Sequence, residues 1–100
     1  MGASTTRGTV AGRADADAAF AAEGCTAPRP WGNGPDERYG WHEHGFHKVL
    51  FCLEGSITFH LRDADDVTLT AGDRLDLGPG TEHAATVGPS GCACVEATRS

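Results

Sequence analysis

The chain has 100 residues, which is room for one domain, and a chain of this size buries only about two-thirds of its unfolded surface. Its 39% hydrophobic residues and 14 glycines are typical of a globular protein built from short elements and tight turns. The formal net charge of −6 argues against nucleic acid or an anionic membrane as partner, because both need clustered Lys and Arg. We therefore expect a small molecule or another protein as the partner.

The sequence carries no export or membrane signal that we recognise. It has no run of about 18 or more apolar residues, and its first twenty positions lack the apolar core of a signal peptide. We therefore expect a cytoplasmic protein, whose four cysteines, Cys25, Cys52, Cys92 and Cys94, remain thiols. A zinc site at the last two is disfavoured, because such sites usually need a second close pair.

The first forty residues predict little regular structure. Residues 1–12 are rich in Gly, Ser, Thr and Ala and are predicted to be disordered. The alanine-rich segment 13–24 favours a short helix that ends at a glycine. In residues 26–40 prolines and glycines interrupt every periodic pattern, so we expect an extended arm packed on the domain. The predicted organisation is a flexible lead over 1–23 and a folded domain over 24–100.

From Gly40 onward the pattern is that of short antiparallel strands. The apolar run 49–54 ends at a Glu-Gly pair and is followed by the alternating segment 56–62, which together predict a hairpin. Further strands are predicted at 67–70, 74–77, 82–87 and 92–97, separated by turns rich in Asp and Gly. Short strands punctuated in this way are typical of an antiparallel sandwich or barrel.

Three of the five histidines lie between positions 42 and 47. In a strand, His42 and His44 share a face, because side chains two residues apart point the same way. Two imidazoles this close can converge on one metal ion. A pair of solvated loop histidines has the same spacing, so spacing alone does not decide between the two. His60 alternates with the apolar residues of its strand and is predicted to be a surface histidine.

The stretches HEHGFHKVLFCLEG (42–55) and GDRLDLGPGTEH (72–83) together resemble the two signature motifs of the cupin superfamily. The matching residues are His42, His44 and Gly55 in the first motif and Gly72, Gly80 and His83 in the second. The resemblance implies an all-β fold, the double-stranded β-helix or cupin jelly-roll barrel, here with a short N-terminal helix or arm. It also implies a divalent transition metal (Fe, Ni, Mn, Cu or Zn) held by histidines of both motifs, and a homodimer formed through a sheet edge.

A lysine stands where the superfamily has a metal-ligating glutamate. Counting back seven positions from Gly55 gives Lys48. A protonated lysine has no lone pair to offer a cation and repels it at short range. The ligand set that the resemblance implies therefore cannot be complete in its usual form.

Three alternatives follow from this substitution. The site can use three histidines, namely His42, His44 and His83, and keep open positions for substrate. His47 can add a fourth ligand if a β-bulge turns it inward. The pocket can also hold no metal, in which case Lys48 and the histidines bind an anionic molecule and the buried lysine serves as a general base.

Two functions of different classes fit these residues. The first is a small metal-binding cupin enzyme, oxygenase-like or a lyase or isomerase, acting on a small polar organic molecule in the barrel cavity. Lys48 would then bind or deprotonate the acidic group of the substrate, and the pocket would be lined or supported by Leu50, Ile57, Phe59 and Leu77. The second is a non-catalytic cupin that binds a small ligand or a metal as a sensor or accessory protein.

Overall fold

The computed structural model describes residues 2–99, so predictions that extend to Met1 and Ser100 lie, at those two positions, outside the described residues. Its elements in chain order are β1 (Ala3–Thr6), α1 (Arg13–Ala22), β2 (Thr26–Asn33), β3 (Arg38–His42), β4 (His47–Leu61), β5 (Val67–Thr70), β6 (Arg74–Leu77) and β7 (His83–Arg99). Across residues 2–99 there is no helix with the length and apolarity that a membrane crossing needs.

The two long strands β4 and β7 pair with each other over almost their full length. Their antiparallel register runs from His47 opposite Arg99 to Leu61 opposite His83, with irregularities between Cys52 and Ile57. On one side of these irregularities β6, β1 and β2 complete a first sheet. On the other side β5 and β3 complete a second sheet. Two antiparallel sheets that share two long strands form the predicted all-β jelly roll.

Apolar side chains cover both faces of the first sheet. The barrel core lies between the two sheets and contains Leu50, Cys52, Ile57, Phe59, Leu69, Leu75, Leu77, Ala85, Val87 and Cys94. A second cluster lies under α1 and contains Ala16, Phe20, Val49, Phe51, Val95 and Ala97. Because this part of the sheet is buried on both faces, residues 49–53 of β4 form a continuous apolar run instead of an alternating one.

Gly55 permits the close approach of β4 and β7. Its φ is 70°, and a Cβ added there would overlap the carbonyl oxygen of Gly91. Gly91 itself has a φ of 78°, and its Cβ would lie 2.9 Å from the carbonyl oxygen of Asn33. Only glycine adopts such backbone angles without strain and leaves room for the facing strand. The closing glycine of the first motif is thus a packing requirement of the strand pair.

The predicted hairpin at Glu54 and Gly55 is wrong. The apolar run before this pair and the alternating run after it belong to one strand, β4. The predicted strands 82–87 and 92–97 are likewise parts of β7. A glycine with positive φ suits an irregularity within a strand as well as a turn between strands, so the local pattern could not separate the two.

The N-terminal predictions are confirmed in part. The segment 13–24 contains the predicted helix, α1. The disorder predicted for residues 1–12 is wrong at least for Ala3–Thr6, because β1 pairs with β6. The arm predicted for 26–40 is extended and packed on the domain, but its predicted lack of regular structure is wrong, because β2 and β3 pair with β7. Pro28 and Pro30 are tolerated in β2 because this strand lies at a sheet edge, where a missing N–H need not cost a ladder hydrogen bond.

Asp73 fastens the N-terminal segment to the turn before β6. Its carboxylate accepts hydrogen bonds from the backbone N–H of Gly8 (3.0 Å), from Arg7 Nη1 (2.8 Å), and from the backbone N–H and hydroxyl of Thr70 (2.9 and 3.2 Å). Asp73 is only 4% exposed. Burial would raise its pKa, but these donors outweigh burial and hold the pKa of the carboxyl below its ordinary value of 3.8.

Replacing Asp73 with Asn should reduce stability and alter its pH dependence. The loss at neutral pH should be about 2 kcal/mol, because the variant lacks the charge that these buried donors satisfy. The folded-state pKa is depressed, so the carboxylate stabilises the fold above its unfolded pKa and this contribution disappears as pH falls through the folded-state pKa.

Urea unfolding at about pH 7 and about pH 3 measures both effects. Wild type should lose more stability between the two conditions than Asp73→Asn. The exposed-turn variant Asp65→Asn should behave like wild type. Equal losses in Asp73→Asn and wild type would contradict the assignment.

Gly55→Ala should destabilise the fold by more than about 3 kcal/mol, because the new Cβ meets backbone and the residue keeps a positive φ. Gly45→Ala is the matched control, since a Cβ at Gly45 has no atom within 4 Å. Chemical denaturation should place the control within about 0.5 kcal/mol of wild type. A Gly55→Ala variant with wild-type stability would show that the strand pair does not need this glycine.

Candidate metal centre

His42, His44 and His83 come together beside the barrel core. One potential ligand nitrogen from each lies within 4.8 Å of the others. The ring centroids of His42 and His83 are 4.2 Å apart, and that of His44 lies 5.1 Å from the first and 5.4 Å from the second. Within residues 2–99, no other group of three His, Cys, Asp or Glu side chains meets this test for a metal site.

The strand register and one turn hold these histidines in place. His42 ends β3 and is the register partner of His83, which begins β7. His44 lies between β3 and β4, and its carbonyl oxygen accepts a hydrogen bond from the backbone N–H of Gly80 at 2.8 Å. Gly80 has a φ of 75°, which favours glycine. The turn of the second motif therefore positions a histidine of the first.

The hydrogen bonds of the rings leave nitrogens free for a ligand. His42 Nδ1 donates to the carbonyl oxygen of Gly40 at 2.7 Å, and His83 Nδ1 donates to that of Thr81 at 2.8 Å. A carbonyl only accepts, so Nδ1 carries a proton, and in the neutral ring each Nε2 then has a free lone pair. His44 Nε2 is buried without a hydrogen-bond partner among residues 2–99. An unpaired buried polar atom indicates a missing partner such as an ion.

The environment keeps two of these rings neutral. Burial is the main cause that lowers the pKa of His44, and the nearby positive charge of Lys48 adds to it. Burial also lowers the pKa of His83, against the opposing effect of its hydrogen bond to Thr81. Neutral imidazole is the form that binds metal. The donor set therefore fits a divalent transition metal, for which imidazole is a common ligand.

The lysine at the glutamate position faces the same site. Lys48 lies in β4 with its side chain 11% exposed, and its Nζ is 3.3 Å from Oε2 of Glu96. The ammonium is thus paired with a carboxylate, and an ammonium has no lone pair to give a metal. The structure thus brings together the three histidines of the first alternative and places a paired lysine beside them.

The other two histidines lie elsewhere. His47 Nε2 contacts Asp76 Oδ1 at 2.8 Å, and the pairing of β4 is regular at this point, with no bulge to turn the ring inward. His47 is therefore not among the side chains gathered at the candidate site. His60 contacts Asp66 Oδ2 and the hydroxyl of Thr86, on the opposite side of its strand from the barrel core.

A cavity of about 350 Å³ opens beside the histidines. This is the size range of sites for small organic ligands. Its apolar wall is formed by Leu50, Ile57, Phe59 and Ala85. Three of the four apolar residues predicted to line or support the pocket are in this wall, and the fourth, Leu77, is buried in the barrel core.

Sequence reasoning missed three polar or aromatic residues of the cavity, namely Arg29, Trp31 and Glu96, and Tyr39 also lines it. The Trp31 indole N–H donates to Glu96 Oε1 at 2.7 Å, and the Tyr39 hydroxyl donates to Asn33 Oδ1. Burial raises the pKa of Tyr39, so this hydroxyl stays protonated at neutral pH. The alternation of Arg29 and Trp31 could have indicated a shared strand face, had the intervening proline not argued against a strand.

The fold and the histidine group define a protein of the cupin superfamily, as the motifs indicated. More narrowly, the chain belongs to the family described as the AraC-like ligand binding domain, whose model matches residues 32–95. No curated protein sequence matches the chain significantly.

Solved structures with the same fold include enzymes. A chain from the crystal structures of the DMSP lyases RdDddP and RnDddQII is 29% identical with a TM-score of 0.68, and the match covers 73% of this chain and 37% of that one. The chain therefore spans little more than a third of that lyase chain. Protein NMB1881 from Neisseria meningitidis is 27% identical with a TM-score of 0.61, covering 73% and 72%. A cupin-2 domain protein from Shewanella frigidimarina, 23% identical with a TM-score of 0.62 and covering 73% and 69%, supports the fold alone.

His44→Leu should stabilise the metal-free protein, because it removes a buried nitrogen that has no partner. The expected gain in unfolding free energy is about 1 kcal/mol. Excess Zn²⁺ should stabilise wild type but not the variant, since a metal stabilises only the form that binds it. Thermal unfolding with a chelator and with Zn²⁺ measures both effects.

His47→Leu is the control, and it should destabilise the protein under both conditions because it breaks the contact with Asp76. A His44→Leu variant that is less stable than wild type in the chelator would contradict the proposed role of the unpaired nitrogen.

Proposed function

We propose that the protein is a small metal-dependent cupin enzyme that acts on a small polar organic molecule, with lyase chemistry as the first candidate. The observation that carries this proposal is the group of three imidazoles with free nitrogens beside a cavity of about 350 Å³. His42, His44 and His83 would hold a divalent transition metal, Fe, Ni, Mn, Cu or Zn. When bound, such a metal polarises an oxygen of the substrate as a Lewis acid.

The chain's own residues would bind and orient the substrate. Lys48 is placed to bind an acidic group, and its pairing with Glu96 favours a role as a charged donor over that of a base. Glu96 is the one carboxylate that lines the cavity among the described residues, so it is the group available to hold a substrate proton. Tyr39 offers a protonated hydroxyl, and the apolar wall excludes water from the reacting groups.

The likeness to the DMSP lyases favours a lyase over the other two reaction classes. At 29% identity it is a likeness in sequence as well as in fold, although it covers only 37% of that chain. Oxygenase and isomerase reactions would use the same three-histidine site, so the metal site does not distinguish them. The lyase proposal therefore needs a direct assay.

A second candidate is a non-catalytic ligand-binding protein that acts as a sensor or accessory protein. The match to the AraC-like ligand binding domain favours this function, since that description names binding and no reaction. The same cavity would then hold a small ligand without converting it. The two candidates differ in whether the metal-loaded protein turns over what it binds.

Elemental analysis of protein purified without an affinity tag tests the metal. We expect about one equivalent of a transition metal per chain in wild type and less than about a tenth in His83→Ala, because the variant loses a buried ligand. His60→Ala is the matched control and should retain the metal, since His60 lies outside the group. Metal below about a tenth of an equivalent in wild type and both variants alike would refute the metal site.

The metal-loaded protein assayed with DMSP then tests the reaction class. Cleavage of DMSP that is lost with a chelator and in His83→Ala would support the lyase. Binding of DMSP without cleavage, under conditions where the metal is bound, would support the sensor instead.

A further inference from the structure

Lys48 is the single lysine of the sequence, and it lies inside the barrel. Its side chain is 11% exposed and lines the same cavity as the histidines. Lysines are rarely buried to this extent unless they are paired. The pairing of Lys48 therefore determines what its charge can do in the cavity.

Glu96 receives three donors from the surrounding strands. Its Oε1 accepts from Trp31 Nε1 at 2.7 Å, and its Oε2 lies 3.0 Å from Arg29 Nη2 and 3.3 Å from Lys48 Nζ. The register explains this arrangement, because Glu96 of β7 is opposite Arg29 of β2 and opposite Leu50 of β4, two residues from Lys48. Two cations thus share one carboxylate, and the cluster carries an excess of one positive charge.

The ammonium has donors to spare. It carries three N–H bonds, and its one ion pair among residues 2–99 is with Glu96. Because Lys48 lines the cavity, its remaining N–H bonds are available to a molecule inside it. Arg29 lines the same cavity, and its side chain is 71% exposed, so it adds positive charge nearer to solvent. The cluster therefore has one positive charge without a partner and is complementary to one further anion.

We propose that Lys48 and Arg29 form a carboxylate subsite and that the substrates or ligands of this cavity are small aliphatic monocarboxylates. The carboxylate would bind the free N–H bonds of Lys48, the aliphatic part would lie on the apolar wall of Leu50, Ile57 and Phe59, and the other end would reach the histidine group. Glu96 cancels one of the two positive charges, which sets the preference for a monoanion. This inference rests on the proposed function only in assigning the chemistry to the histidine end.

Propionate binding to the chelator-treated, metal-free protein tests the subsite, with propionamide as the neutral isostere. We expect Lys48→Met to weaken propionate binding by about tenfold or more, because the main donor is lost while Glu96 keeps Arg29 and Trp31 as partners. Propionamide should bind weakly to both proteins. Titration calorimetry measures these affinities, and Arg62→Met, which removes a cation outside this cavity, should leave them unchanged.

Glu96→Gln should change the propionate affinity in the opposite direction. The amide oxygen can still accept from Trp31, but the two cations now face the cavity without a competing anion. Propionate should therefore bind several-fold more tightly than to wild type, a change that a purely structural role of Glu96 would not produce.

The single lysine provides a readout that does not depend on either variant. Selective ¹³Cε labelling of lysine gives one resonance, which should shift on titration with propionate and stay in place with propionamide. Equal propionate affinity in wild type and Lys48→Met would overturn the subsite. Binding that requires added metal would also overturn it and place the carboxylate on the metal instead. Absence of propionate binding to both metal-free and metal-loaded wild type would also overturn the subsite. Metal content is measured separately, so a failed subsite and a failed metal site give different results.

Discussion

The pairing of β4 with β7 is the constraint on which the rest of the molecule depends. At one end of this ladder β4 carries Lys48 and Leu50, which lie beside Glu96 of β7. Beyond the irregularity at Gly55 the same two strands carry Phe59 and His83 into the second sheet. One strand pair thus supplies the charged end, part of the apolar wall and a candidate metal ligand of a single cavity. The mutual positions of these groups are fixed because neither strand can shift without breaking both sheets.

The grouping of the three histidines could be predicted from the sequence because it is encoded in two short motifs. The motif spacing places His44 near His42, although His44 lies in the link between β3 and β4 and not in a strand as expected. The turn at Gly80 brings the second motif to the first. Strand continuity could not be predicted in the same way. Whether a glycine ends a strand or bends it depends on what approaches it, and the carbonyl that leaves no room for a side chain at Gly55 belongs to Gly91, 36 positions later in the printed sequence.

The charged end of the cavity was beyond sequence reasoning for a related reason. Lysine at the usual glutamate position was evident, but its partner Glu96 comes from the neighbouring strand, and Arg29 is 67 residues from that glutamate. Such contacts are set by the register of β2, β4 and β7, which local patterns do not contain. The prolines of β2 argued against a strand, because their position at a sheet edge was not visible in the sequence.

The place of His42 gives the candidate metal a mechanical role as well as a chemical one. His42 ends β3, a strand whose residues are all exposed and whose backbone pairs with β7. A metal shared by His42 and His83 would cross-link this edge strand to the barrel. Part of the metal's binding free energy would then oppose local opening of β3 and slow its amide hydrogen exchange. Tyr39 of the same strand lines the cavity, so metal binding would also restrict the motion of part of the cavity wall.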